Sequence, residues 1–220
     1  MVTKKRLEAI PDISSLKKLC QSLAMLDAIM SPEWDYRYYS FNSNWAAEEM
    51  MASMRNGSGD DYFILFNSQG AIMKGFAHES AMSPWANEPE QVWPGVLDEV
   101  PNEFAEFLTE PAFAMTATTF CIWRRNTDGA WQTGPIDYPN EEDPDGSEDL
   151  LFVLDGNPST YQEFAEEYYE CSIELEAVSS IYQHQPLTAE TIKALNPEVS
   201  LESLASDLEQ IAYPGGSSPG

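Results

Sequence analysis

The sequence predicts an α+β fold: an antiparallel sheet of two or more hairpins with N-terminal and C-terminal helices packed on it. Three observations predict it. Short apolar or alternating runs broken by Asn/Gly turns occupy most of residues 34–154. Helical periodicity with capping signals marks both ends of the chain. A hydrophobic content of 43% and an aromatic content of 12% over 220 residues supply a sizeable core, outside the range of disordered acidic chains. One domain over 1–213 and a disordered tail over 214–220 are expected, because no linker or internal repeat divides the chain.

The elements follow in order. Asp12 is placed to cap a helix whose apolar stripe is Ile13, Leu16, Cys20, Leu23 and Met30, and Ser31-Pro32 stops it. Trp34 to Phe41 reads as an aromatic strand. Asn44 to Arg55, rich in Met50, Met51 and Met54, reads as a short capped helix. Asn56-Gly57-Ser58-Gly59 loops into Phe63-Ile64-Leu65-Phe66, a wholly apolar run suited to a strand buried on both faces. Asn67-Ser68-Gln69-Gly70 turns it back through Ala71 to Phe76. After an irregular Pro- and Trp-rich stretch over 77–100, Asn102 opens a short helix ending near Thr109. Thr116 to Arg125 alternates as a strand, and Asn126-Thr127-Asp128-Gly129 returns it through Trp131. An acidic loop over 140–149 precedes a short strand at Leu150 to Leu154. Asn157-Pro158 starts a helix in which Phe164, Tyr168 and Cys171 share one face. Thr188 caps Ala189 to Leu195, and Ser200 caps Leu201 to Ile211 with Leu201, Leu204, Leu208 and Ile211 as its stripe.

Charge bounds function more tightly than motif does. The chain carries 37 Asp+Glu against 11 Lys+Arg, a net charge of −26, with an isoelectric point near 4.1. Such a surface repels phosphate backbones and anionic lipid, which argues against nucleic-acid and membrane partners. The excess is uneven: residues 1–125 hold ten basic and seventeen acidic residues, whereas residues 126–220 hold Lys193 alone against twenty acids. Complementary charge speeds encounter with a basic protein, which is the sharpest use for such a field; solubility is the plainest. Cys20, Cys121 and Cys171 are widely spaced and odd in number, as in reduced thiols of a cytoplasmic protein. Lys4-Lys5-Arg6 is not followed by an uninterrupted apolar run, so neither a signal peptide nor a membrane span is expected.

Four constellations are candidates for a site. Asp143, Asp145, Ser147 and Asp149 place oxygens at alternate residues, as calcium loops do, yet Gly146 and Leu154 stand at the wrong positions for an EF-hand. These acids therefore read as a solvated or partner-facing loop. Asp60 and Asp61, with His78 and Glu79 at the far end of the adjoining hairpin, could converge as a metal or acid–base cluster. One histidine there carries no ligand spacing, and the second, His184, lies in a helix-end sequence. Arg124 beside Arg125 could bind a carboxylate. Trp85, in the Pro-rich loop, could anchor a partner. No cofactor motif is present: Ser58 lacks the spacing of a nucleophile elbow and its loop lacks the lysine of a P-loop.

Tyr36-Arg37-Tyr38-Tyr39-Ser40-Phe41-Asn42, Met51-Ala52-Ser53-Met54-Arg55-Asn56-Gly57-Ser58-Gly59-Asp60, Lys74-Gly75-Phe76 and His78-Glu79-Ser80 form one recognisable set. Glu166-Glu167-Tyr168-Tyr169-Glu170, Pro186-Leu187-Thr188 and Ala194-Leu195-Asn196-Pro197 form another. Together they resemble a family of uncharacterised bacterial proteins. That resemblance implies no catalytic residues. In general character, small, compact and acidic, the chain is similar to immunity proteins that neutralise toxins. The leading expectation is a non-catalytic acidic protein that binds a basic protein partner, in the manner of an immunity-type inhibitor. The alternative is a metal-dependent or small-molecule enzyme built on Asp60, Asp61, His78 and Glu79. A third is a homodimer packed through the aromatic hairpins.

Overall fold

A computed structural model describes residues 4–215. The chain runs α1 (Lys4–Ala9), α2 (Ile13–Met30), β1 (Tyr39–Ala46), β2 (Glu49–Arg55), β3 (Asp61–Phe66), β4 (Gly70–Phe76), β5 (Phe120–Arg125), α3 (Ser147–Leu150), α4 (Pro158–Tyr168), α5 (Leu175–Tyr182), α6 (Ala189–Leu195) and α7 (Ala205–Ile211). Short 3-10 turns punctuate the connections, among them Trp34–Tyr36 before β1 and Phe152–Asp155 after α3. The α+β reading holds.

The five strands form one antiparallel sheet in the order β1-β2-β3-β4-β5, each beside its neighbour in sequence. Register assigns the faces. Ala52 pairs with Ile64, Ile64 with Met73 and Met73 with Ile122, and all four join the core that includes α2. One residue away, Met51, Leu65, Ile72 and Trp123 face a second core with Met82, Val96, Phe104, Phe107 and Phe113. Side chains alternate across a strand, so a sheet covered on both faces must be apolar at consecutive positions. The run Ile64-Leu65-Phe66 and the fully buried β4 meet that demand. Helices cover one face; the largely irregular stretch over 82–113 covers the other.

Helix α2 begins at Asp12, whose carboxylate accepts from Ser14 N at 3.0 Å and Ser15 N at 3.2 Å. It ends at Met30, where Ser31 N bonds the Asp27 carbonyl. Three of its polar residues, Gln21, Ser22 and Asp27, are buried, and each has a task. Gln21 donates to the Ile211 carbonyl at 2.9 Å, and Ser22 to the Ile181 carbonyl at 2.8 Å. Asp27 accepts from Tyr38 N and Tyr39 N, both at 2.7 Å, and from the Tyr161 hydroxyl at 3.0 Å. Burial pushes the Asp27 carboxyl up to about 6 against the pull of those donors. Helix α2 is thus the central post on which α4, α5 and α7 are hung.

Several local expectations are corrected. The methionine-rich stretch is β2, not a helix: Met50, Met51 and Met54 pair in register with Phe66, Leu65 and Tyr62. Helix-forming side chains yield here to strands on both sides that supply hydrogen bonds and cover. The aromatic strand begins at Tyr39, because Trp34–Tyr36 is a 3-10 turn. The return after β5 is one bridge between Trp123 and Gln132. Residues 150–154 are helical turns rather than a strand. Helix α4 stops at Tyr168, which leaves Cys171 exposed and off its face. Helix α5 ends at Tyr182, beside the helix-end sequence around His184, although its start carries no expected boundary, and α7 starts four residues beyond its expected first residue. Of the expected tail, residues 216–220 lie outside the described residues.

Candidate functional site

The residues singled out by sequence separate into structural groups. Asp60 lies in the loop before β3, and His78 lies just past β4. One Asp60 oxygen accepts from His78 N at 2.8 Å and stands 2.7 Å from its Nδ1; the other accepts from the Asn56 amide at 2.7 Å. Partial burial works to raise Asp60, but these bonds win and hold it below the usual carboxylate range. Hydrogen bonding to Asp60 raises His78. Glu79 approaches the other ring nitrogen only to 3.8 Å, from an exposed position.

Asp61 does not join them. It enters β3 and accepts from the Nζ of Lys74, a fully buried lysine, at 2.9 Å. Lys74 also donates to the Ala117 carbonyl at 2.9 Å and lies 5.3 Å from the centre of the Phe63 ring. Desolvation lowers Lys74 and raises Asp61, while the pair's attraction opposes both shifts. The expected cluster of Asp61, His78 and Glu79 is therefore an Asp60–His78 pair beside a separate Asp61–Lys74 pair. Among the described residues, no group of three or more His, Cys, Asp and Glu is placed to hold a metal ion. The second histidine, His184, stands apart, its Nε2 2.9 Å from the Lys18 carbonyl oxygen.

The acidic loop is a capping device at its centre. Asp143 accepts from Glu148 N and Asp149 N, each at 3.0 Å. Asp145 accepts from Ser147 N at 3.1 Å and Ser147 Oγ at 2.8 Å, and its own carbonyl accepts from Thr119 Oγ1 at 2.7 Å. Asp145 is wholly buried and pushed up to about 6 by desolvation, so it faces no partner. Gly146, at φ +73, lies so close to Ala77 that a Cβ there would stand 2.1 Å from the alanine methyl. Only the loop's flanks, including Glu141, Glu142, Glu148 and Asp149, reach solvent. Arg124 is held by the Asp128 and Gly129 carbonyls, and Arg125 takes the Asp128 carboxylate at 3.0 Å. Trp85 is 60% exposed, with its ring edge-on to Phe76 at 4.7 Å.

A further surface feature lies elsewhere, where the ends of α2 and α4 meet. Met30, Pro32, Glu33, Tyr36, Tyr168 and Tyr169 line an open groove there. Tyr36 is 67% exposed, and Trp34 and Tyr168 are also exposed. Tyr168 is held in place by parallel stacking on Phe164 at 5.6 Å and by an edge contact with Tyr38 at 5.3 Å. Arg37, two residues beyond Asp35, donates to the Ser31 and Pro32 carbonyls and forms a two-armed ion pair with Asp207 of α7. That fixes the 3-10 turn carrying Trp34 and Tyr36. Nothing periodic in sequence links Tyr36 to Tyr168; the signal available was two Tyr-rich stretches bracketed by acids, Glu33 to Tyr39 and Glu166 to Glu170.

One carboxylate, Glu33, lines the groove itself, and others lie near its residues in sequence. Of the twenty acidic residues after Arg125, fifteen are exposed, and Glu163, Glu167, Glu170, Glu174 and Glu176 are concentrated on α4, the start of α5 and the turn joining them. Comparison with protein-family models, with curated proteins and with solved structures finds no match.

Proposed function

We propose that this chain is a non-catalytic binding protein whose acidic surface engages a basic protein partner, as an immunity-type inhibitor engages a toxin. One observation carries the reading: the acids concentrated after Arg125 are mostly solvent-facing, and Glu167 and Glu170 among them bracket the exposed Tyr168 ring in sequence. Interface hot spots are enriched in such rings, and a one-signed field around them raises encounter rates with an oppositely charged partner by ~10–10³. Buried Asp145 and capping Asp143 leave this role to Glu148, Asp149 and the carboxylates of α4 and α5. The resemblance to a bacterial family, and free thiols at Cys20, Cys121 and Cys171, fit work in a reducing bacterial cytoplasm.

The test is capture of partners from the host, followed by affinity measurement on the purified pair across a salt series. A partner with an isoelectric point above ~9, whose affinity falls by tenfold or more between 50 and 500 mM salt, is the expected result. Binding indifferent to salt would contradict the proposal. A second reading rests on the Asp60–His78 bond, which orients the imidazole as a general base is oriented. It places acid–base chemistry on a small molecule at the end of β4. A hydrolytic activity abolished by His78→Gln in a normally folded protein would favour it over binding.

A further inference from the structure

From the groove between the ends of α2 and α4, we infer that it is the anchoring point for an arginine side chain carried on an extended basic segment of the partner. This rests on the binding role proposed above and names the residue type that role selects. Three independent features converge.

The first is aromatic. Tyr36 and Tyr168 line the groove with substantial ring area in water, and the stacked and edge contacts of Tyr168 set its ring before any partner arrives. A guanidinium lies flat on such a ring through cation–π attraction and stacking, and it does so better than an ammonium.

The second is electrostatic. Helix α2, eighteen residues long, and helix α4, eleven residues long, both direct their carboxyl ends to this joint, and neither has a basic residue in its last turn. The aligned carbonyls of a helix end carry about half a negative charge. Arg37 answers the α2 end through Ser31 and Pro32 and is then committed to Asp207. The last turn of α4 carries no basic residue, and only the charge of Arg37, already paired with Asp207, reaches Tyr169 at its end; exposed Glu33 lines the groove, and exposed Asp35, Glu167 and Glu170 stand next to groove residues in sequence.

The third is shape. Met30 and Pro32 provide apolar wall for the methylene stem of a long cationic side chain, which buries its stem and keeps its charge among acceptors. A bare metal ion would find no use for those walls or rings.

The probe is a fluorescein-labelled nine-residue peptide of alternating arginine and glycine, with lysine and citrulline counterparts, titrated at about 50 mM salt. Saturable binding of the arginine peptide, weaker binding of the lysine peptide and no binding of the citrulline peptide are expected. Tyr36→Ala should weaken binding about tenfold, whereas Tyr36→Phe, which keeps the ring, should stay within about twofold of wild type. Tyr36 is largely solvent-exposed, so its truncation leaves the fold intact, as an unchanged melting temperature would verify. Tyr168→Leu provides the second variant on the opposite wall.

Equal affinity of the arginine and citrulline peptides, or wild-type affinity in both tyrosine variants, would overturn the inference. If those variants bind normally while Glu163→Lys/Glu174→Lys does not, the acidic surface binds diffusely. The groove assignment then falls while the proposed function stands. Failure of the arginine peptide to bind at all also defeats the groove assignment; the salt series on a purified partner decides the broader role separately.

Discussion

Burying Asp27 at full depth strips its carboxylate of water, and two backbone N–H groups with one tyrosine hydroxyl replace that water. Replacing Asp27 by Ala would leave those donors without an acceptor, each at a cost of ~1–3 kcal/mol, so Asp27→Ala should destabilise by ~3 kcal/mol or more in urea unfolding. Asp27→Asn keeps one acceptor oxygen and should cost clearly less. The Asp61–Lys74 pair makes an unequal prediction. Lys74 is wholly enclosed while Asp61 retains partial access to water. Asp61→Ala strands a buried ammonium and should cost ~3 kcal/mol or more, whereas Lys74→Met frees Asp61 to turn outward and should cost less. Equal losses in the two variants would contradict this account. Neither role was legible in sequence. A lone Asp in a helix and a lone Lys in an apolar strand look like solvent-facing positions until β1, α4 and residue 117 are placed around them.

At the scale of elements, what local chemistry dictates was legible and what neighbours impose was not. The Asp12 cap, the Ser31-Pro32 stop, the Asn67–Gly70 turn, the Pro158 start and the Thr188 cap each operate within four residues, and each stands where the sequence places it. Asp12→Ala should accordingly cost ~1 kcal/mol. The β2 strand was hidden because its identity depends on β1 and β3, and of α5 only the end near His184 was legible, because its buried apolar residues Ala177, Val178 and Ile181 fall within one turn and a half. The groove was invisible for a related reason: it joins residues more than 130 positions apart. The β4–β5 pair carries its own test. Gly75 lies opposite Phe120, whose ring occupies the space a Cβ would need, with Cζ only 2.0 Å away. The ring covers bare backbone, as aromatics do over strand glycines. Gly75→Ala must displace it and should cost ~1–3 kcal/mol through overpacking.

For the whole molecule, pH is the informative variable. Asp27 and Asp145 both titrate near 6 in the fold, above an ordinary value of 3.8. A carboxyl raised on folding favours the native state in its protonated form; that contribution is complete below 3.8 and is lost as pH rises through about 6. Self-repulsion of a net charge of −26 also eases as acid is added. The melting temperature should therefore rise by several degrees between pH 8 and pH 5, and less so in Asp145→Asn. Asp12 acts oppositely, but its carboxyl is held at about 2, so its support is withdrawn only in stronger acid. A melting temperature that falls across the pH 8 to 5 window would refute the assignment. The ties from α2 to the far end of the chain have a temporal meaning as well. Strands β1 to β4 form a meander that can zip up hairpin by hairpin, but the bonds from Gln21 to Ile211 and from Asn196 to Ile29 bridge more than 160 residues. The helices after Arg125 dock last on such a route. During synthesis the groove between the ends of α2 and α4 is consequently incomplete, and it forms only when α4 seats against α2.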